Sequence, residues 1–100
     1  MEETDTVGDI RLIVLETIVQ KMLASRMAEL PPEESLRLKR SFIESMSRFD
    51  VLLPGEIVEM KALEPKQRAL AVHVRAFFAS VEVREQDVRR QTGRPLAYPL

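Results

Sequence analysis

Residues 10–19, IRLIVLETIV, form the most apolar run of the chain, and the fold depends on how this run is covered. Seven of its ten residues are large aliphatics, and they are distributed around a helix axis instead of lying along one stripe. A surface helix of a small domain normally has one apolar stripe and a polar opposite face. The run therefore predicts a helix that needs cover on more than one side.

Proline and glycine divide the remaining sequence into helical segments. The first helix is expected over residues 10–30, with Asp9 as its N-cap, and the second begins at Pro32. A short helix is expected over residues 56–63, and the longest over residues 66–91, ended by Gly93. The predicted core faces are Leu12, Leu15, Val19, Met22, Leu23, Met27 and Leu30 in the first helix, Leu38, Phe42, Ser45, Met46, Phe49 and Leu53 in the second, and Leu70, Val74, Phe77, Val81 and Val88 in the last.

These segments predict an all-α fold, a small helical bundle of three long helices plus one short helix, with an extended C-terminal tail. One hundred residues correspond to a single domain, 1–100. Within it, residues 1–8 form an acidic N-terminal segment and residues 94–100 form the tail. The tail carries Leu96, Tyr98 and Leu100 at alternating positions, so an extended tail places these three side chains on one side, where we expect them to pack on helices.

Composition narrows the class of protein. Fifteen basic and sixteen acidic residues give a formal net charge of −1, which does not favour a strongly charged partner. The absence of cysteine fits a reducing compartment, and no apolar run reaches the roughly 18 residues of a membrane span. The sequence is therefore interpreted as a soluble, cytoplasmic protein without a membrane anchor.

Two helices have more apolar perimeter than one small core covers, which favours a homodimer. The alternative is that the first helix lies centrally within one chain. The residues expected at an interface lie on the second apolar faces of the first and last helices and in the tail: Ile10, Ile13, Val14, Val72, Ala76, Ala79, Val83, Leu96, Tyr98 and Leu100.

A search for catalytic or cofactor motifs gives little. His73 is the only histidine, and its neighbours three and four residues away include no carboxylate or hydroxyl, so it is interpreted as a boundary residue. The pairs Glu56/Glu59 and Glu82/Glu85 lack the accompanying histidines of a di-metal bundle, and Glu85 is expected to be a solvated acid at a helix edge. No cofactor, metal or catalytic residue is predicted.

The function expected from this pattern is a non-catalytic protein–protein interaction module, a scaffold, adaptor or regulatory subunit. The first alternative is a regulator that contacts nucleic acid through Arg37, Lys39 and Arg40 or through Arg89, Arg90 and Arg94. Acidic residues interrupt both clusters, which makes nucleic acid the less favoured partner. The second alternative is a helical ligand carrier or enzyme with an adaptable pocket lined by Met22, Met27, Met46 and Met60.

Overall fold

A computed structural model describes the backbone of residues 2–48 and 60–100, and the side chains of residues 9–48 and 65–100. This part of the chain contains three α-helices and no β-strand: α1 (Glu2–Ala28), α2 (Pro32–Met46) and α3 (Met60–Thr92). The all-helical class is therefore confirmed. No described helix combines the length and the apolarity that crossing a membrane requires.

The predicted short helix is not a separate element in the described chain. Residues 56–59 of that prediction, like the predicted Pro54-Gly55 turn, lie outside the described residues, whereas residues 60–63 belong to α3. The prediction that a new helix starts after Pro65 is wrong, because α3 continues through this proline. Pro65 lies in the second turn, where its missing N–H removes one hydrogen bond close to a terminus that already has unpaired donors.

The start of α1 also differs from the prediction. The helix begins at Glu2, so Asp9 lies inside it and is not its N-cap. Acidic residues at positions 2, 3 and 5 occupy the first turns, where the positive end of the helix dipole favours them. α2 begins as predicted, with Pro31 as N-cap, Pro32 in the first turn and two glutamates following.

The three helices run up, down and up. Glu16 of α1 contacts His73 of α3 at one level, and the carbonyl of Met27 contacts Arg89 at another, so α1 and α3 are parallel. α2 is antiparallel to α3, because Ser35 bonds Glu85 whereas the carbonyl of Ser47 accepts a hydrogen bond from Gln67. The apolar core lies between the three helices and consists of Ala24, Met27, Val74, Phe78 and Val81, flanked by Leu23, Leu30, Phe42, Ile43, Met46, Leu70 and Phe77.

The buried face of α1 is not the predicted one. Gln20, Ala24 and Ala28 are buried, together with Met27, which was predicted. Leu12, Leu15, Val19 and Met22 were assigned to the core but are 44–65% exposed. Small side chains let the α3 backbone approach closely, so α1 packs through its alanines and turns its larger aliphatics outward.

Gly93 ends α3 as predicted. Its φ of +68° lies in the left-handed region. The N–H of Arg94 bonds the carbonyl of Arg89 at 2.9 Å, and the N–H of Gly93 approaches the carbonyl of Arg90 at 3.4 Å. This pair of bonds is the Schellman arrangement, which satisfies carbonyls at the helix end and turns the chain toward the tail.

We expect Gly93→Ala to lower the free energy of unfolding by about 1–2 kcal/mol, the cost of a left-handed conformation in a residue with a Cβ. A Cβ at this position meets no atom within 4 Å, so no steric clash adds to that cost. Urea denaturation checks the value. Equal stabilities of the two proteins would contradict this explanation of the turn.

Candidate functional site

Four polar side chains form a buried cluster between α2 and α3. Ser35, Lys39, Glu85 and Arg89 each expose 1% of their surface or less. The Glu85 carboxylate accepts hydrogen bonds of 2.8 Å from Ser35 Oγ, Lys39 Nζ and Arg89 Nε. Lys39 Nζ also lies 3.4 Å from Oε1 of Glu82, so two cations face two carboxylates. The expectation that Glu85 is a solvated acid is therefore wrong.

Arg89 connects this cluster to the rest of the molecule. Its Nη2 donates to the carbonyls of Met27 and Leu30, at 2.8 Å each, and its Nη1 donates to the carbonyl of Pro95 at 3.0 Å. The terminal carbonyls of α1 have no partner within their own helix, and a cation is favoured there. Arg94 adds a bond of 2.8 Å to the carbonyl of Ala28.

Opposing effects act on the pKa of Glu85. Burial, the largest, raises the pKa because it disfavours the charged form. Hydrogen bonds from Lys39, Ser35 and Arg89, with the positive charge of Lys39, lower it by more, so the pKa lies below its ordinary value of 4.5. Glu85 therefore remains ionised in the folded protein and is fully occupied by its donors.

Several of the basic residues predicted as nucleic-acid contacts belong to this cluster or bind the end of α1. Lys39 and Arg89 are buried in it, and Arg94 is bound to the end of α1. Arg37, Arg40 and Arg90 remain exposed, and Arg90 lies 3.6 Å from Asp87. Neither predicted basic patch is therefore available to a partner as a complete set.

His73 does have a carboxylate partner, contrary to the sequence expectation, and it comes from another helix. His73 Nε2 lies 2.8 Å from Oε1 of Glu16, and both side chains are partly exposed. The neighbouring hydroxyl of Thr17 donates to the carbonyl of Ile13 at 2.7 Å, so it is not directed at the imidazole. Within the side chains the structure describes, no group of three or more His, Asp or Glu is placed to hold a metal ion.

The most extensive unexplained feature is the apolar surface of α1, here called the α1 face. Every residue from 9 to 15 is exposed, and eight large aliphatic side chains of this helix are 44–65% exposed. The α1 face consists of Ile10, Leu12, Ile13, Val14, Leu15, Ile18, Val19 and Met22. Monomeric proteins rarely expose large contiguous apolar patches, and eight half-exposed aliphatic side chains on one helix are unusual for such a protein.

The α1 face continues into a groove between the helices. The groove has a volume of about 330 Å³ and is lined by Val19, Leu23, Phe42, Met46, His73, Val74, Phe77 and Phe78. Phe42 stacks on Phe78 with ring centroids 5.8 Å apart, and Phe77 meets Phe78 edge to face at 5.3 Å. Val19 belongs to both surfaces. Of the methionines predicted to line a pocket, Met46 lines this groove, Met27 is buried in the core and Met22 is exposed.

All ten predicted interface residues are exposed in the single chain. Ile10, Ile13 and Val14 belong to the α1 face, while Val72, Ala76, Ala79 and Val83 lie on the outer side of α3. Their role as an interface stays a prediction. Leu12, Leu15, Val19 and Met22 were missed as surface residues because their helical spacing is also that of a core stripe, and Ile18 was assigned to neither surface nor core.

The tail packs through a different residue from those predicted. Ala97 is buried, and its N–H and carbonyl bond the side-chain amide of Gln86 at 3.0 and 2.9 Å. Leu96, Tyr98 and Leu100 are 40–51% exposed, and the Tyr98 hydroxyl reaches Glu33 at 3.3 Å. The expected burial of Tyr98 is therefore not provided by its own chain.

Comparison of the chain with protein-family models, curated proteins and solved structures gives no match. The interpretation of the surface therefore depends on its physical properties.

We expect Ser35→Ala to lower the free energy of unfolding by about 1.5–3 kcal/mol at pH 7, because it removes a hydrogen bond to a buried charge. The loss of this donor raises the folded-state pKa of Glu85. A carboxyl whose pKa is lower in the folded than in the unfolded state stabilises the fold above its unfolded pKa, and this stability is lost as the pH falls through the folded pKa.

The difference between Ser35→Ala and wild type should therefore shrink as the pH falls below about 4.5. Urea titrations at several pH values measure this. Ser41→Ala on the exposed side of α2 is the matched control, with little effect at any pH. A Ser35→Ala difference that stayed constant down to the pH at which the protein unfolds in acid would mean that the hydroxyl does not act through the ionised carboxylate.

Proposed function

We propose that this protein is a non-catalytic protein–protein interaction module that forms a homodimer through the α1 face. The observation that carries this proposal is the exposure of all eight aliphatic side chains of that face, 44–65% each. Covering a half-exposed aliphatic side chain contributes about 1 kcal/mol. Contributions of this size from both chains offset the several kcal/mol that association costs.

The position of the polar groups supports the same function. Lys39, Glu85 and Arg89 are bonded within one cluster and to backbone carbonyls, and His73 pairs with the Glu16 carboxylate while the neighbouring Thr17 hydroxyl donates to Ile13. In the described residues, the buried polar groups therefore bond the helices to one another, and the surface available for contact is apolar. A scaffold, adaptor or regulatory subunit is the class of protein that these features favour.

We expect the protein to have a mass of twice 11.5 kDa in light scattering at micromolar concentration. Leu15→Glu should shift it to the monomer and weaken association by on the order of 100-fold or more, because an unpaired carboxylate is costly to bury. Leu15 is 59% exposed in the single chain, so its fold should be retained, which circular dichroism checks.

Ser41→Glu is the matched control, because it adds the same charge to the exposed side of α2. It should leave the dimer mass unchanged. A wild-type protein that is monomeric across the concentration range would contradict the proposed function, and so would a Leu15→Glu dimer as tight as wild type.

The groove supports a second candidate function, the binding of a small apolar ligand. Its volume of about 330 Å³ lies at the lower end of the range for ligand pockets, and its lining is apolar apart from His73. Binding of an environment-sensitive apolar dye tests this. Stoichiometric binding to the dimer would favour a carrier, whereas binding only by the Leu15→Glu monomer would show that the dimer covers the groove.

A further inference from the structure

Residues 12–15 of α1, Leu-Ile-Val-Leu, place large aliphatic side chains on every side of the helix axis, next to the charged Arg11. At 100° per residue, Leu12, Ile13 and Val14 point in three different directions, and all are at least half exposed. A flat contact covers one side of such a helix, whereas an all-round apolar helix is normally surrounded. Residues 10–15 therefore need a concave partner surface.

The groove is a concave apolar surface on the described part of the chain. An apolar cavity of about 150 Å³ holds a benzene-sized group, so the groove of about 330 Å³ has room for two large aliphatic side chains. The chain thus has an uncovered apolar helix segment and an unfilled apolar groove on the same side of α1.

We propose, on the basis of the proposed function, that residues 10–15 of a second copy of this chain fill the groove, with the two α1 helices antiparallel. Val19 and Leu23 are the α1 residues that line the groove, and they lie about eight residues after the middle of segment 10–15 in the sequence. A two-fold axis near Thr17 places each segment beside the partner's Val19 and Leu23. Each copy then fills the groove of the other, and the two identical contacts form a symmetric dimer.

The charges along α1 favour this orientation. Four acids and no bases lie between residues 2 and 9, whereas the two charged residues between 20 and 28 are Lys21 and Arg26, both exposed. With the two-fold axis near Thr17, an antiparallel pair places Asp9 within one residue of the level of the partner's Arg26, and the partner's Lys21 lies about 6 Å further along the helix. A parallel pair would bring the two acidic ends together and align the helix dipoles unfavourably.

Cross-linking with a short bis-maleimide tests the orientation, since the chain has no cysteine of its own. Leu12 and Met22 are exposed, equidistant from Thr17 and about 15 Å apart along the helix. We expect a mixture of the Leu12→Cys and Met22→Cys variants to yield cross-linked dimer, and each variant alone to yield at least tenfold less. A mixture of Leu12→Cys with Leu96→Cys, a variant at an exposed tail residue, serves as the control and should not cross-link.

The outcomes separate the two proposals. Efficient cross-linking by each variant alone would indicate parallel helices and would overturn the antiparallel pair. A dimeric mass without any cross-linked product would also overturn the antiparallel pair. Both of those results leave the homodimer standing, whereas a monomeric mass overturns both proposals.

A nitroxide on Leu12→Cys tests whether the segment lies in the groove. Mixed with isotope-labelled wild-type chain, it should broaden the amide signals of Phe42 and Phe77 and the imidazole signal of His73. The same label on Leu96→Cys should leave these signals sharp. Unbroadened groove signals in a cross-linked dimer would overturn the groove assignment.

Discussion

The fold depends on the guanidinium of Arg89. It donates to Glu85, to the carbonyls of Met27 and Leu30, and to the carbonyl of Pro95, so one side chain bonds α3 to the end of α1, the α1–α2 connection and the tail. Breaking a buried, hydrogen-bonded ion pair by removing one partner typically costs about 3–5 kcal/mol, because the other charge is left uncompensated. The guanidinium also has a planar, forked set of donors that a lysine lacks. The register of the three helices therefore follows from the position of this residue.

The molecule has a closed end and an open end. At the closed end the last carbonyls of α1, Leu30 of the α1–α2 connection and Pro95 of the tail accept hydrogen bonds from Arg89 or Arg94. At the open end residues 9–15 of α1 are all exposed. Polar bonds thus fix one end of the bundle in place, whereas exposed aliphatic side chains mark the other end.

Helical class, the start of α2 at Pro32 and the end of α3 at Gly93 could be predicted from sequence, because each depends on local chemistry of proline, glycine and helical period. The exposure of Ile13 and Val14 followed from their position off the main stripe. The packing face of α1 could not be predicted, because size alone favours Leu15 and Met22 over the alanines that pack. Glu85 and Arg89 follow Val81 at four-residue intervals, so they lie on the core face of α3, and Lys39 lies one turn before Phe42 on the core face of α2. Opposite charges on two core faces that pack together could have predicted the buried cluster from the sequence.

Arg89 lies 62 residues after Met27, whose carbonyl it binds. At a synthesis rate of about 5–20 residues per second, the end of α1 waits several seconds on the ribosome before this partner exists. The packing of α1 against the end of α3 is therefore delayed until α3 is complete. The order of residues along the chain leaves the aliphatic run of α1 without its helical neighbour during most of synthesis.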